Sequence, residues 1–298
     1  MKREAYPTMI TPYTAQGEVD FEAVKKIALW YKDAGCDGIF ASCQSSEIFF
    51  LTEDERVNIA KTVKQTVGDS MTVVASGHVS DGFEDQVREL NRICETGVDG
   101  LILITNRMDI ENTGDEKWIE DLSRLIEKLP EDVPLGLYEC PYPYKRLLTE
   151  KMIAFCLSTG RFRFIKDTCC DEKEIERRLK QTEGSEFYLY NANAQTLYAS
   201  LKAGAKGYCG VMANFHPDLY VKLMKLMDAD DEKAQRIADF LSIAAFTEGL
   251  AYPVTAKYHI AHNAGIPITT VTRCRKESEL TDYHRMCVDQ MDRLAKSF

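Results

Sequence analysis

No stretch of the 298-residue chain approaches the ~20 consecutive apolar residues of a bilayer-spanning helix, so a membrane partner is not expected. Positive charge is scarce: 37 Lys and Arg stand against 47 Asp and Glu, a formal net charge of −10. A nucleic-acid partner would need a basic face, so none is expected either. An anionic substrate would have to be attracted by local groups and not by the global field. Ten cysteines occur, but no Cys-x-x-Cys pair, and their spacing is irregular. This pattern indicates neither a zinc motif nor a disulfide framework, and a bridge between the adjacent Cys169 and Cys170 would be strained. Free thiols in such number fit a reducing cytosol. The histidines are scattered, and His259-x-x-His262 lacks the spacing and the Glu of HExxH. No metal and no cofactor is expected. The first residues, through Thr14, hold no apolar core of signal-peptide length, and a cytoplasmic protein is expected.

What is present is one repeated pattern: a short apolar run, a polar turn, then a helical stretch. The runs are Tyr6–Thr11, Gly38–Ser42, Thr72–Ser76, Gly100–Thr105, Leu135–Cys140, Phe162–Thr168, Phe187–Asn191 and Gly207–Met212. They recur roughly every 20–35 residues, the length of a βα unit. Near-continuous apolar character suits parallel strands covered on both faces. Asp20 is a predicted N-cap, and Thr52 with Glu55 has the form of a capping box. Gly35, Gly97 and Gly204 are placed to stop helices just before the next run. The pattern predicts a (β/α)8 TIM barrel over residues 1–230 and a C-terminal helical extension over 231–298, with helices near Asp231–Glu248, Pro253–Asn263 and Lys276–Lys296. A doubly wound sheet is the rival, but the chain has no Gly-rich dinucleotide turn.

Barrel enzymes of this class carry their sites at the carboxyl ends of the strands. That leaves few candidates. Lys166 closes the apolar sixth run, where partial burial disfavours the ammonium form, as a nucleophilic amine requires. Position alone leaves open a plain ion pair with Asp167 or another carboxylate. Tyr138 ends the fifth run and could pass protons, or simply fill the core. Ser45 and Ser46 sit in a turn whose hydroxyl and N–H groups could hold a carboxylate, or form an ordinary polar loop.

Taken in order, these residues resemble the dihydrodipicolinate synthase and N-acetylneuraminate lyase superfamily of pyruvate-dependent class I aldolases. The resemblance runs from Ile10-Thr11-Pro12-Tyr13 through Asp37-Gly38-Ile39, Ser45-Ser46-Glu47 and Leu51-Thr52-Glu53. It continues through Tyr138, the Lys166-Asp167 pair, Gly204-Ala205-Lys206-Gly207 and Tyr252-Pro253. The resemblance implies that Lys166 forms a Schiff base with a 2-oxo acid, that Tyr138 shuttles protons, and that Ser45 with its neighbouring backbone binds the carboxylate. It also implies that the Cys209 backbone lies near the keto acid and that the protein is a homo-oligomer, a tetramer as is common in the family.

Departures from the family pattern narrow the expected reaction. The synthase's two relay hydroxyl positions read Gln44 and Met108, its semialdehyde-binding Arg position reads Pro143 with Arg146 displaced, and its motif glycine is Ser46. Dihydrodipicolinate synthesis is therefore not expected. Arg107, Asn191 and Asn193 stand where a guanidinium and two amides would suit a polyhydroxylated or anionic chain. The expected substrate is pyruvate or a 2-oxo-3-deoxy sugar acid, with cleavage, condensation and dehydration all open. A non-catalytic 2-oxo acid-binding barrel, motivated by the lost relay, is the alternative from another class.

Overall fold

The computed structural model describes residues 2–298. Parallel strands β1 (Glu4–Ala5), β2 (Gly38–Phe40), β3 (Thr72–Ala75), β4 (Gly100–Ile104), β5 (Leu135–Tyr138), β6 (Phe162–Asp167), β7 (Tyr188–Asn191) and β8 (Gly207–Tyr208) pair in the order β1-β8-β7-β6-β5-β4-β3-β2. A parallel bridge between Thr8 and Phe40 joins the two ends of that series. The fold is the expected (β/α)8 barrel. Each strand is followed by a helix: α1 (Phe21–Asp33), α2 (Glu53–Val67), α3 (Phe83–Cys94), α4 (Asp115–Ile126), α5 (Glu150–Thr159), α6 (Glu172–Gln181), α7 (Leu197–Lys202) and α8 (Pro217–Leu226). Beyond the barrel come α9 (Asp231–Ala244), α10 (Val254–His262) and α11 (Asp282–Ala295). Among the described residues no helix is long and apolar enough to cross a membrane.

The local signals act as expected. The Asp20 carboxylate accepts from the Ala23 N–H, and Thr52 and Glu55 complete both bonds of their capping box at 3.2 and 2.8 Å. Gly35, Gly97 and Gly204 all take positive φ at the ends of their helices. Boundaries differ where a stronger local preference intervenes. The first strand is expected at Tyr6–Thr11, but regular pairing falls just before that run, over Glu4–Ala5 against β8; Pro7 has no N–H to donate, and within the run only Thr8 bridges to β2. The eighth ends at Tyr208, not Met212, and the chain turns at Gly210. A side chain there would meet the Tyr208 ring at 2.3 Å and the Ala192 carbonyl oxygen at 2.6 Å. Thr281 caps the His284 N–H, so α11 starts there and residues 277–279 form a separate 3-10 turn. After Ala244, α9 tightens into a 3-10 turn over Ala245–Gly249.

The period of two along each strand sorts side chains between two apolar regions. Phe40, Val74, Ile102, Ile104, Tyr138, Phe164, Tyr190 and Cys209 fill the barrel interior. Their sequence neighbours Ile39, Val73, Leu101, Leu103, Leu137, Ile165 and Tyr208 pack outward against the helices. The interior is unusually aromatic: Phe164 stacks on Tyr190 at 4.2 Å, and Tyr6 meets both rings at 5.6 and 5.0 Å. Barrel interiors more often use branched aliphatic side chains.

His78, after β3, is fully buried; its Nδ1 accepts from the Ile104 N–H at 3.1 Å, and its Nε2 bonds Gln86 Oε1 at 2.5 Å. Burial pushes its pKa down to about 4. Because this lies below the unfolded value of about 6.5, the neutral ring's contribution is complete above pH ~6.5 and is lost as pH falls toward 4. At about 1.36 kcal/mol per unit the full effect is roughly 3 kcal/mol. His78→Asn, which keeps an acceptor for Ile104, should show a flatter acid limb in urea denaturation between pH 6.5 and 4. An acid limb identical to that of the wild type would contradict this reading.

Candidate active site

The carboxyl ends of the strands surround a cavity of about 630 Å³, floored by Gln44, Ser45, Tyr138 and Lys166. This lies within the roughly 300–1,000 Å³ of ordinary small-molecule sites. Tyr138 and Lys166 are register partners on adjacent strands, so both project into the barrel mouth. The Lys166 Nζ lies 4.1 Å from the Tyr138 ring centroid and 5.6 Å from that of Phe40. The residue is 3% exposed, and among the described residues no carboxylate pairs with it. Asp167, the expected alternative partner, points the other way.

That divergence follows from strand parity. Glu139 and Asp167, one residue beyond Tyr138 and Lys166, face the helix layer and meet the Arg178 guanidinium of α6 at 2.8 and 2.5 Å. All three side chains are fully buried. Glu139 also accepts from the Leu148 and Thr168 N–H groups, and Arg178 donates to the Leu148 carbonyl. Burial raises the Glu139 carboxyl against the pull of Arg178, with Asp167 adding to the rise.

The phenol of Tyr138 is pushed well above its ordinary range by burial, and its hydroxyl donates to Gln44 Oε1 at 3.4 Å. Ser45 lines the cavity and shares a hydrogen bond with the Thr8 hydroxyl at 3.0 Å. Asn193 also lines the cavity, although its Oδ1 already accepts from Thr196. Cys209 is buried in the barrel interior beside Cys43 and Cys140, with Gly210 on the cavity wall above it. Burial pushes the Cys209 thiol up to about 12, against the pull of Lys166.

Three expected substrate contacts are corrected. Arg107 follows the turn after β4 to the outside of the barrel, where it bonds Asp81 at 2.8 Å and the Val79 carbonyl at 3.1 Å. It belongs to a different surface pocket with Phe83 and Lys117. Asn191 has the opposite parity to Tyr190, and its amide donates to Thr196 and Ser200 at 2.9 and 3.0 Å. Ser46 is fully buried, its hydroxyl bonding the Met9 carbonyl at 2.7 Å and accepting from the Cys43 N–H.

The structure adds wall residues that strand ends alone do not reveal, Lys145, Glu248, Tyr252, Cys274, Arg275 and Glu279, beside Cys170 just past the end of β6. They come from loops and the C-terminal extension, where no period marks a facing side. Glu47 holds the extension in place. Its carboxylate pairs with the buried Lys257 at 2.8 Å and accepts from the Arg273 and Cys274 N–H groups. Arg273 itself binds Glu55 and the Gly17 carbonyl, so it packs the segment and does not face the cavity. Among the described residues no group of three or more His, Cys, Asp or Glu side chains is arranged to hold a metal ion.

Fold and site together describe a barrel with a lone buried lysine at its mouth. The sequence pattern of the dihydrodipicolinate synthetase family matches residues 2–272, and the chain belongs to that family, one of class I lyases. Relatives include 4-hydroxy-tetrahydrodipicolinate synthase of Haloarcula marismortui, 24% identical over 78% of this chain and 74% of that protein. A Streptomyces coelicolor synthase is 26% identical over 84% and 80% of the two chains. Among solved structures, YagE from E. coli, a dihydrodipicolinic acid synthase family protein crystallised with pyruvate, superposes with TM-score 0.87 at 21% identity, covering 98% and 97%. The sialic acid aldolase of Ruminococcus gnavus gives 0.87 at 16% identity, covering 100% and 98%.

Removing Arg178 would leave two buried carboxylates without their cation, which typically costs about 3–5 kcal/mol. Arg178→Met should lower the urea midpoint by the equivalent of that loss. A loss below about 1 kcal/mol would show that the cluster does not hold the strand ends.

Proposed function

We propose that the protein is a Schiff-base-forming lyase acting on pyruvate or a 2-oxo-3-deoxy sugar acid, with Lys166 as the amine. The observation that carries this reading is a buried lysine, without a counter-ion among the described residues, opening on the cavity at the carboxyl ends of the strands. An unpaired buried cation is costly, by several kcal/mol, and a fold serving only stability has no use for one. Lys257 illustrates the structural alternative: it is equally buried, but Glu47 neutralises it.

In this reading the Lys166 amine attacks the ketone of the keto acid, water leaves, and an iminium forms. Tyr138, against the lysine, exchanges protons with the carbinolamine. Ser45 and the N–H groups opening its 3-10 turn, which lack intrahelical acceptors, hold the carboxylate. The iminium withdraws electrons from C3, so the C3–C4 bond breaks or forms without a metal. Asn193 and Lys145, with Arg275 beside Glu279, supply polar contacts for the rest of the substrate. Local cations of this kind suit an anionic substrate despite the net charge of −10.

The particular reaction of the synthase is not assigned to this chain. Gln44 accepts the Tyr138 hydroxyl where a relay hydroxyl is wanted, Met108 is buried, and Arg146 is tied to Asp109 at 2.7 Å away from the cavity. The cavity volume leaves room for a keto acid longer than pyruvate.

Borohydride reduction in the presence of pyruvate, followed by intact mass and peptide mapping, tests the proposal. The expected outcome is a reduced adduct on Lys166 that is absent in Lys166→Ala. No adduct with pyruvate or with longer 2-oxo acids would leave a non-catalytic binding barrel.

A further inference from the structure

The Tyr138 phenol is buried and its hydroxyl ends on a carboxamide, which cannot carry a proton to solvent as a hydroxyl chain would. Tyr138 can exchange protons within the carbinolamine, but a proton taken from carbon and passed to solvent needs another carrier. One carboxylate in the cavity is unengaged. Glu248, on the 3-10 turn after α9, lines the same cavity as Lys166 and Tyr138. Among the described residues it takes part in no salt bridge or side-chain hydrogen bond, whereas Glu47 and Glu279 on the same wall are both paired.

Its turn is anchored. The Thr247 hydroxyl bonds the Ala244 carbonyl at 2.7 Å and lies 3.7 Å from the sulfurs of Met212, after β8, and of Met291, in α11. The titratable groups that influence this carboxyl, or are influenced by its charge, are Lys166 and Cys170 from β6 and its loop, Tyr208 from β8, Tyr220 from α8, and Tyr252. Lys166 is the only cation in that set. The side chain reaches solvent, yet the protein crowding it pushes the carboxyl up to about 7, with Lys166 pulling it back. A group poised near neutrality suits general acid–base work.

We propose that Glu248 is a catalytic acid–base residue, removing and returning the C3 proton of a keto acid held as an iminium on Lys166. The inference rests on the Schiff-base reading given above. The Glu248 carboxylate takes the C3 proton, the C3–H electron pair forms the C2–C3 double bond, and the C–N π pair moves onto nitrogen. The product is a neutral enamine beside a carboxylic acid. Return of the proton to C3 restores the iminium. Because the carboxyl is open to solvent, the proton it returns is drawn from water.

Deuterium incorporation at C3 of pyruvate in D2O, followed by proton NMR, reads this step without any second substrate. Borohydride adduct on the same samples is read by intact mass. The wild type is expected to exchange with a rate rising through an inflection near pH 7. Glu248→Gln should keep the Lys166 adduct, slow exchange by about 100-fold or more, and lose that inflection, while Glu248→Asp restores part of the rate. Retention of the adduct shows that the variant is folded. Exchange at the wild-type rate and pH profile in Glu248→Gln would overturn this assignment alone. A folded Glu248→Gln protein that forms no adduct would also overturn it, since the residue would then act in binding. A wild type that forms no adduct would overturn the Schiff-base reading and this inference together.

Discussion

The guanidinium of Arg178 draws two carboxylates from the ends of β5 and β6 into the helix layer. Because side chains alternate along a strand, fixing Glu139 and Asp167 outward fixes Tyr138 and Lys166 inward. The ion cluster thus does for orientation what no apolar contact could, since apolar residues tolerate either face of a covered parallel sheet. A buried cluster of this kind adds little net stability over a hydrophobic substitute, so its value lies in geometry. It also removes Asp167 as a partner for Lys166 and leaves that amine without a carboxylate in contact among the described residues.

The site therefore rests on an asymmetry between two buried lysines. Lys257 is neutralised by Glu47, and the pair fastens residues 271–274 over the mouth through the Arg273 and Cys274 N–H groups. Among the described residues no carboxylate pairs with Lys166, and its Nζ lies over the rings of Tyr138 and Phe40. A ring face stabilises a cation by ~0.5–2 kcal/mol, less than a desolvated carboxylate in good geometry. The packed rings of Tyr6, Phe164 and Tyr190 fill the barrel interior beneath the site.

Much of this was legible in the sequence. The eight runs, the caps at Asp20 and Thr52, and the strand-end position of Lys166 and Tyr138 are local features, and local physics places them. Asn191 lies off the cavity because it has opposite parity to Tyr190, the register partner of Lys166, and that pairing between strands is not written in the sequence. Within β7, alternation shows only that Tyr190 and Asn191 face opposite sides. Arg107 offered no such signal, because the turn after β4 breaks the alternation before reaching it. Glu248 and Lys145 were invisible for a different reason. They reach the cavity from a turn after α9 and a loop after β5, and only the tertiary path of the chain brings them there.

In the proposed reading the unpaired amine of Lys166 is the reactive group of this cavity. A crystal structure after soaking with pyruvate tests it most directly. The expected result is continuous density from Lys166 Nζ to C2 of the keto acid, the carboxylate against Ser45, and Arg107 still bound to Asp81. An unmodified Lys166, with pyruvate absent from the cavity or held elsewhere, would contradict it.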